Sequence, residues 1–393
     1  MKSYKFSWLI ISIHSFVLAQ NITTLPNSNL PLKDGRSYLP DVWLLSTGQS
    51  WHFRTAPALI GKDIGSRLPN DEEKKIIGDA RDLLEKYEMK LVALIDDGKI
   101  IDMTAKDGIS LDSLLLSASM AKTVTAVAIG KAICENKIHL DTKAGELVPS
   151  LKDKDLGKAT LRDLMIMASG VTEPQAKDVS GITQEEVTYH LEGKGSLEEL
   201  VSSTRLSTFQ KSFFSTYKPG ERFSYKSVDP FTASLMLQYA VGMPATQWVN
   251  EKLFKDIPIK NRAILGTDKK GNFSGAMGSV RLTLIDWVRF ATYIQQERGK
   301  QGCFSDYLKD MSKTQIKLQK IEGVNGYFGG YGYFTWTEAD LAPNTFWAAG
   351  YGGQRIGWSN DPSNKRIFIT FGNSSDKDMN KIYPVANRWI NLR

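Results

Sequence analysis

Long apolar runs, clustered metal ligands and blocks of like charge are all missing from this chain of 393 residues. Its 4 histidines, His14, His52, His139 and His190, show no H-E-x-x-H or comparable spacing. The 2 cysteines, Cys134 and Cys303, cannot build a zinc site unaided, so no metal and no organic cofactor is expected. No G-x-S-x-G stretch occurs, which removes the sequence sign of a Ser-His-Asp hydrolase. The 50 Lys and Arg are interspersed with 43 Asp and Glu, so the net charge of +7 describes a mildly basic surface without the block that predicts a nucleic-acid partner. Beyond the N-terminus no segment approaches the roughly 20 apolar residues that span a bilayer. The two cysteines can pair in an exported protein, but Cys134 falls within an apolar helix pattern, which favours a buried thiol.

Hydrophobic residues make up 41% of the chain, enough for one large domain or two lobes. The first 19 residues, with Lys2 and Lys5 ahead of an apolar stretch from Phe6 to Leu18 and Ala19 before Gln20, have the pattern of a signal peptide. Cleavage there predicts a periplasmic or secreted protein with no remaining membrane span. No cysteine lies near that point, which argues against a lipid anchor.

Residues 20–68, rich in Pro, Gly, Asn and Ser, read as an N-terminal arm. From Asn70 the segment "NDEEKKIIGDARDLLEKYEM" carries a cap residue, acids and helically spaced apolar positions. "KLVALIDDGKIIDM" then predicts a hairpin around Asp-Asp-Gly. Residues 160 to about 300 read as helices with few strand signals. The aromatic and β-branched runs "GGYGYFTWT", "NTFWAAG", "GQRIGWSN" and "KRIFITFGN" predict an antiparallel sheet, and "KDMNKIYPVANRWINLR" a last helix perturbed by Pro384. The expected fold class is α+β, an α/β sandwich in which an antiparallel sheet is flanked by N- and C-terminal helices and a helical lobe is inserted. Residues 69–118 and about 315–393 form the sheet lobe and 119–314 the mainly helical lobe of one domain, 69–393.

Within this frame "SLLLSASMAKTVTAVAIGK" places Ser119 and Lys122 where an apolar run enters a helix. Two other Ser-x-x-Lys sequences, Ser215/Lys218 and Ser374/Lys377, lie in polar turns. Positions i and i+3 share a helix face, so a lysine there reaches the serine hydroxyl. A serine hydroxyl needs a base before it attacks, and burial lowers a lysine's pKa by up to ~3–5 units. The first turn of a helix also offers free N–H groups to a developing oxyanion. A helix cap and a lysine snorkelling to water explain the same residues, and on this motif alone the two readings are evenly matched.

Two further stretches matter: "KPGERFSYKSVDPFTASLML", with Tyr225 between a Pro-Gly turn and a helix, and "FWAAGYGGQRIGW", with Gly350, Gly352 and Gly353 at a strand. Together with "SMAKT", "ATLRDLMIMASGV" and "GNFSGAMGSVRLTLIDWVRFA", they make the chain from about residue 70 resemble the serine β-lactamase-related hydrolases. The resemblance is to the class C-like branch that includes penicillin-binding proteins, esterases, D-aminopeptidases and 6-aminohexanoate-oligomer hydrolases. It implies a secreted serine hydrolase working through an acyl-enzyme. Ser119 is the implied nucleophile, Lys122 its general base or proton relay, and Tyr225 a proton-handling partner, with Lys122 and Tyr225 both open as the base. The backbone N–H groups of Ser119 and Gln354 are the implied oxyanion hole, and Ser227, Tyr351, Gly352 and Gly353 the implied substrate contacts. Relatives that bind β-lactams carry Lys-Thr-Gly or His-x-Gly in the third motif; here the aligned triplet is Tyr351-Gly352-Gly353, and Ser227 stands in place of Asn. The cation that grips a substrate carboxylate is missing, so the expected small-molecule substrate is an ester, amide or peptide lacking that group. A peptidoglycan carboxypeptidase, a penicillin-binding protein or a β-lactamase is the alternative within the fold, and a scaffold protein that kept it the non-enzymatic one.

Overall fold

The structure, a computed structural model, describes residues 64–171 and 195–392 apart from 88, 107, 212–215, 258, 260, 262, 269, 274–275, 277, 319–327 and 373–379, together with two strands at 22–26 and 49–54. Residues 1–19, which the sequence reads as a signal peptide, Ser215 and the Ser374/Lys377 pair lie outside the described residues.

Helix α1 (Asp71–Lys86) starts where the sequence places a cap. The Asn70 side chain accepts from the Glu73 N–H, the Glu73 carboxylate accepts from the Asn70 N–H, and three acids fill the first turn. Its buried face, Ile76, Ile77, Ala80, Leu83 and Leu84, lies on the large sheet beside helix α6 (Ile382–Ile390). Pro384 does not perturb α6: it sits in the first turn, where the missing N–H has no intrahelical partner to lose.

The large sheet is antiparallel, with strands β3 (Met89–Asp96), β4 (Lys99–Ala105), β8 (Ile316–Lys317), β9 (Phe328–Tyr331), β10 (Trp336–Ala339), β11 (Ala342–Gly350), β12 (Gln354–Ser359) and β13 (Arg366–Gly372) in the order β4-β3-β13-β12-β11-β10-β9-β8. The β3–β4 hairpin turns at Asp97 and Gly98, both at positive φ. The period of two splits β3 between two cores: Val92 and Leu94 face α1 and α6, whereas Leu91, Ala93 and Ile95 face the inserted lobe. This is the α+β arrangement expected, with sheet strands and flanking helices supplied by both ends of the domain.

The lobe between them is less purely helical than the sequence suggests. A second sheet, ordered β1-β2-β6-β7-β5, joins β1 (Ile22–Pro26) and β2 (Gln49–Arg54) of the arm to β6 (Ile264–Thr267), β7 (Val280–Thr283) and β5 (Leu114–Leu116). Helices α2 (Ala121–Cys134), α3 (Val228–Val241), α4 (Leu284–Arg298) and α5 (Cys303–Met311) are the longer helices of the lobe. Helix α2 is buried on nearly every face. Its Gly130 is required by packing, since a Cβ there would lie 2.3 Å from the Tyr307 ring. Cys134, read from its apolar surroundings as a buried thiol, is instead disulfide-bonded to Cys303, with the two Cα atoms 5.7 Å apart. The C-terminus of α2 lies against the start of α5, a proximity across 169 residues that no local pattern reports.

Candidate active site

Strand β5 delivers the chain to the site. The Ser117 N–H donates to Val280 O at 2.8 Å, and Ser117 Oγ accepts from the Val280 N–H at 3.1 Å, so the residue after β5 is pinned to β7. Ala118 follows at φ +43, a left-handed conformation uncommon for a residue with a Cβ. Ser119 lies in the 3-10 turn Ala118–Met120, directly before α2, and Lys122 lies in the first turn of α2. The lysine is 2% exposed, and its Nζ donates to Ser119 Oγ at 2.9 Å. It is not snorkelling to water, and the Ser119 side chain is not capping α2.

Tyr225 joins this pair. Lys122 Nζ lies 4.9 Å from the centre of its ring. The ring is held by other aromatics: Trp336 stacks on it at 5.3 Å, and Phe223 and Tyr331 lie at 6.5 Å. The backbone leading to it is tied to the "MASG" segment, with the Gly220 N–H donating to Ala168 O at 2.7 Å and the Ser224 N–H to Met167 O at 2.8 Å. Gly170, at φ +79, allows that approach: a Cβ there would lie 2.9 Å from Tyr217 O. Ser227, one of the implied substrate contacts, is a buried residue at the N-terminal boundary of α3.

A buried ionic cluster behind Tyr225 escaped the sequence reading. Lys226 Nζ lies 3.4 Å from Asp229 Oδ2 and donates to Ser224 O at 3.0 Å; Ser169 Oγ donates to Asp229 Oδ1 at 2.6 Å. All three side chains are buried. Burial pushes the Asp229 carboxyl up, against the pull of Lys226 and the Ser169 hydrogen bonds. Burial likewise raises the Tyr331 phenol well above its ordinary range, with Tyr225 and Asp229 adding to the effect. The available signal was the Lys-x-x-Asp spacing beside Tyr225, one face of a helical turn.

The third motif closes the site from the sheet side. Strand β10 pairs with β11 only as far as Trp336↔Trp347, and the Ser117–Ser119 backbone lies against β11 at Gly350. Gly350 meets the backbone of Ser117 and Ser119: a Cβ there would lie 2.5 Å from Ser117 O and 3.0 Å from the Ser119 nitrogen. Tyr351, Gly352 and Gly353 form the turn into β12, with both glycines at positive φ and Tyr351 59% exposed. Gln354 stands opposite Gly350 in the β11–β12 ladder. Its side chain donates to Tyr351 O at 2.7 Å and Gly372 O at 3.1 Å and accepts from the Gly372 N–H at 2.9 Å, clamping the turn to β13. Among the described residues no group of three or more His, Cys, Asp or Glu is placed to hold a metal, and no helix is long and apolar enough to cross a membrane.

A helix bearing serine and lysine against an antiparallel sheet, with a tyrosine from the inserted lobe, is the arrangement of β-lactamase/transpeptidase-like serine hydrolases. The Beta-lactamase family model matches residues 71–387, and the chain belongs to that family. Its fold is similar to the solved structure of a "Putative 6-aminohexanoate-dimer hydrolase from Bacillus anthracis", at 18% identity and TM-score 0.65, over 87% of this chain and 90% of that one. It is also similar to "EstCE1, a hydrolase with promiscuous acyltransferase activity", at 14% identity and TM-score 0.59, over 81% and 97% of the two chains. The penicillin-binding protein from Bacillus halodurans is similar at 14% identity and TM-score 0.58, over 77% and 97%. No curated protein matches the sequence.

Proposed function

We propose that the protein is an exported serine hydrolase that cleaves an uncharged ester or amide through an acyl-enzyme on Ser119. The observation that carries this reading is the 2.9 Å contact between Lys122 Nζ and Ser119 Oγ at a buried helix start. Ser119 Oγ attacks the substrate carbonyl carbon while its proton passes to Lys122 Nζ. The tetrahedral oxyanion forms at the helix mouth and accepts from the Ser119 N–H. The first N–H beyond the contact between Gly350 and Ser119 is that of Tyr351, which supports Tyr351 as the second donor in preference to Gln354, across the hairpin ladder. As the carbonyl re-forms, the bond to the leaving group breaks, and Tyr225, over which Lys122 sits, hands that group a proton and takes back the one held on Lys122 Nζ. Water then attacks the ester carbonyl, and Ser119 Oγ leaves with a proton returned to it.

The substrate class follows from what borders Ser119. The β11 residues before Gly350 are Ala348 and Ala349, so no cation from the strand reaches a substrate carboxylate. Half-buried Phe223 and Trp336 flank Tyr225, which suits an aromatic or aliphatic substituent. Export is supported by the N-terminal sequence pattern and by the Cys134–Cys303 disulfide, a bond that persists in oxidising compartments.

A fluorophosphonate probe and a fluorescent penicillin, each with the Ser119→Ala variant as control, test the reading. Labelling by the phosphonate alone is expected. Labelling by both selects the penicillin-binding alternative, and labelling by neither the scaffold.

A further inference from the structure

We infer that Arg355 is a positioning residue for the oxyanion hole: its buried guanidinium grips the Gly350 carbonyl and thereby aims the Tyr351 N–H at the reacting centre. The inference rests on the acyl-enzyme reading above and adds to it a residue outside the three motifs.

Arg355 is the second residue of β12 and is 7% exposed. Its Nη1 donates to Gly350 O and, at 2.9 Å, to Gln354 O, while its Nε donates to Tyr383 Oη at 3.1 Å. Tyr383, on α6, is wedged edge-on between Trp347 at 4.9 Å and Phe328 at 5.5 Å, so the guanidinium is anchored from the sheet face opposite the nucleophile. Among the described residues Arg355 has no carboxylate partner within ion-pair distance. A buried cation spent on backbone carbonyls is uncommon, because burial without a counter-charge costs free energy that such bonds only partly offset.

The two carbonyls it holds are those of Gly350 and Gln354, the residues that bracket the Tyr351–Gly353 turn. A trans peptide puts its C=O and N–H on opposite sides, so fixing the Gly350 carbonyl toward Arg355 turns the Tyr351 N–H away from it. That is the side of β11 that β10 no longer pairs beyond Trp347, where the Ser119 backbone lies instead. The same glycine fits against the Ser119 nitrogen only for want of a Cβ, so both N–H groups belong to one tightly packed corner. A charge-assisted bond to the carbonyl also polarises the amide, strengthening its N–H as a donor, and the fixed positive charge favours an oxyanion nearby.

A purely structural role predicts loss of stability; a positioning role predicts loss of transition-state binding. The test compares Arg355→Gln and Arg355→Lys with the full-length mature enzyme, on a neutral p-nitrophenyl ester and an alkyl boronic acid as tetrahedral mimic. For Arg355→Gln, kcat is expected to fall by about 10²–10³, the effect of losing one oxyanion donor, with KM within about twofold. Boronate affinity is expected to fall in parallel with kcat, while Ser119 remains the residue that the fluorophosphonate modifies. Arg355→Lys, which keeps the charge but not the fork, is expected to lose less, and guanidinium ion to restore part of the activity of Arg355→Ala. A folded Arg355→Gln with unchanged kcat and boronate affinity overturns the inference and leaves the acyl-enzyme reading intact. If Arg355→Gln does not fold, unchanged kcat in Arg355→Lys overturns it equally. A wild-type enzyme that is never modified at Ser119 overturns both.

Discussion

Lys122 Nζ lies 2.9 Å from the hydroxyl of Ser119, three residues earlier in the chain. On the proposed acyl-enzyme reading, that contact makes Lys122 a candidate proton acceptor for acylation. Lys122→Met preserves the apolar packing of the helix start and is expected to lower kcat/KM on a neutral ester by about 10²–10⁴. Circular dichroism should be unchanged. Stopped-flow absorbance at the released phenolate checks the rate, and a variant retaining wild-type turnover would exclude Lys122 from proton transfer.

Tyr225→Phe isolates the phenol from the ring. The stack with Trp336 survives the substitution, so the thermal midpoint should move little. An amide with a poor leaving group is expected to lose more activity than a p-nitrophenyl ester, whose phenolate departs without a proton. Equal losses on both substrates would place the tyrosine in attack rather than departure.

The buried pair of Lys226 and Asp229 supports the segment between Tyr225 and α3. Asp229→Ala leaves an ammonium without its counter-charge and is expected to destabilise the fold by about 3–5 kcal/mol. Removing both charges, Lys226→Met with Asp229→Ala, is expected to recover much of that loss. Urea unfolding of the single and double variants measures the coupling, and additive effects would refute it.

Glu73 gives an acid-sensitive contribution with a defined sign. Hydrogen bonds from Arg67, then from the Asn70 backbone and Arg366, hold its carboxyl at about 2, against an ordinary value of 4.5. The folded pKa lies below the unfolded one, so this stabilisation is complete above about pH 4.5 and disappears as pH falls toward about 2. Differential scanning fluorimetry through that range should show a steeper fall in Tm for wild type than for Glu73→Gln. Parallel curves would remove Glu73 from the account.

What could be read in advance was local. The Asn70 cap, the Asp-Asp-Gly hairpin and the Ser119/Lys122 spacing are written within a few residues of one another, and the structure has each of these features. The second sheet was not legible, because β5, β6 and β7 have only three or four residues each and those described are nearly all buried, so they show no alternation. The Cys134–Cys303 bond, the Ser169–Asp229 contact and the grip of Arg355 on Gly350 join residues by tertiary packing. Arg355 in particular reads as an ordinary strand residue until Tyr383 and the turn are both in place.

The pinning of Ser117 by Val280 has a consequence for the order in which the molecule acquires its chemistry. The partners are 163 residues apart, and Thr123 of α2 donates to the Phe334 carbonyl 211 residues further along. A chain emerging N-terminus first therefore exposes its serine long before the strand that braces it has been synthesised. That brace arrives only with the last third of the polypeptide, so a truncated product carries Ser119 and Lys122 in its sequence without the strand that holds them in place.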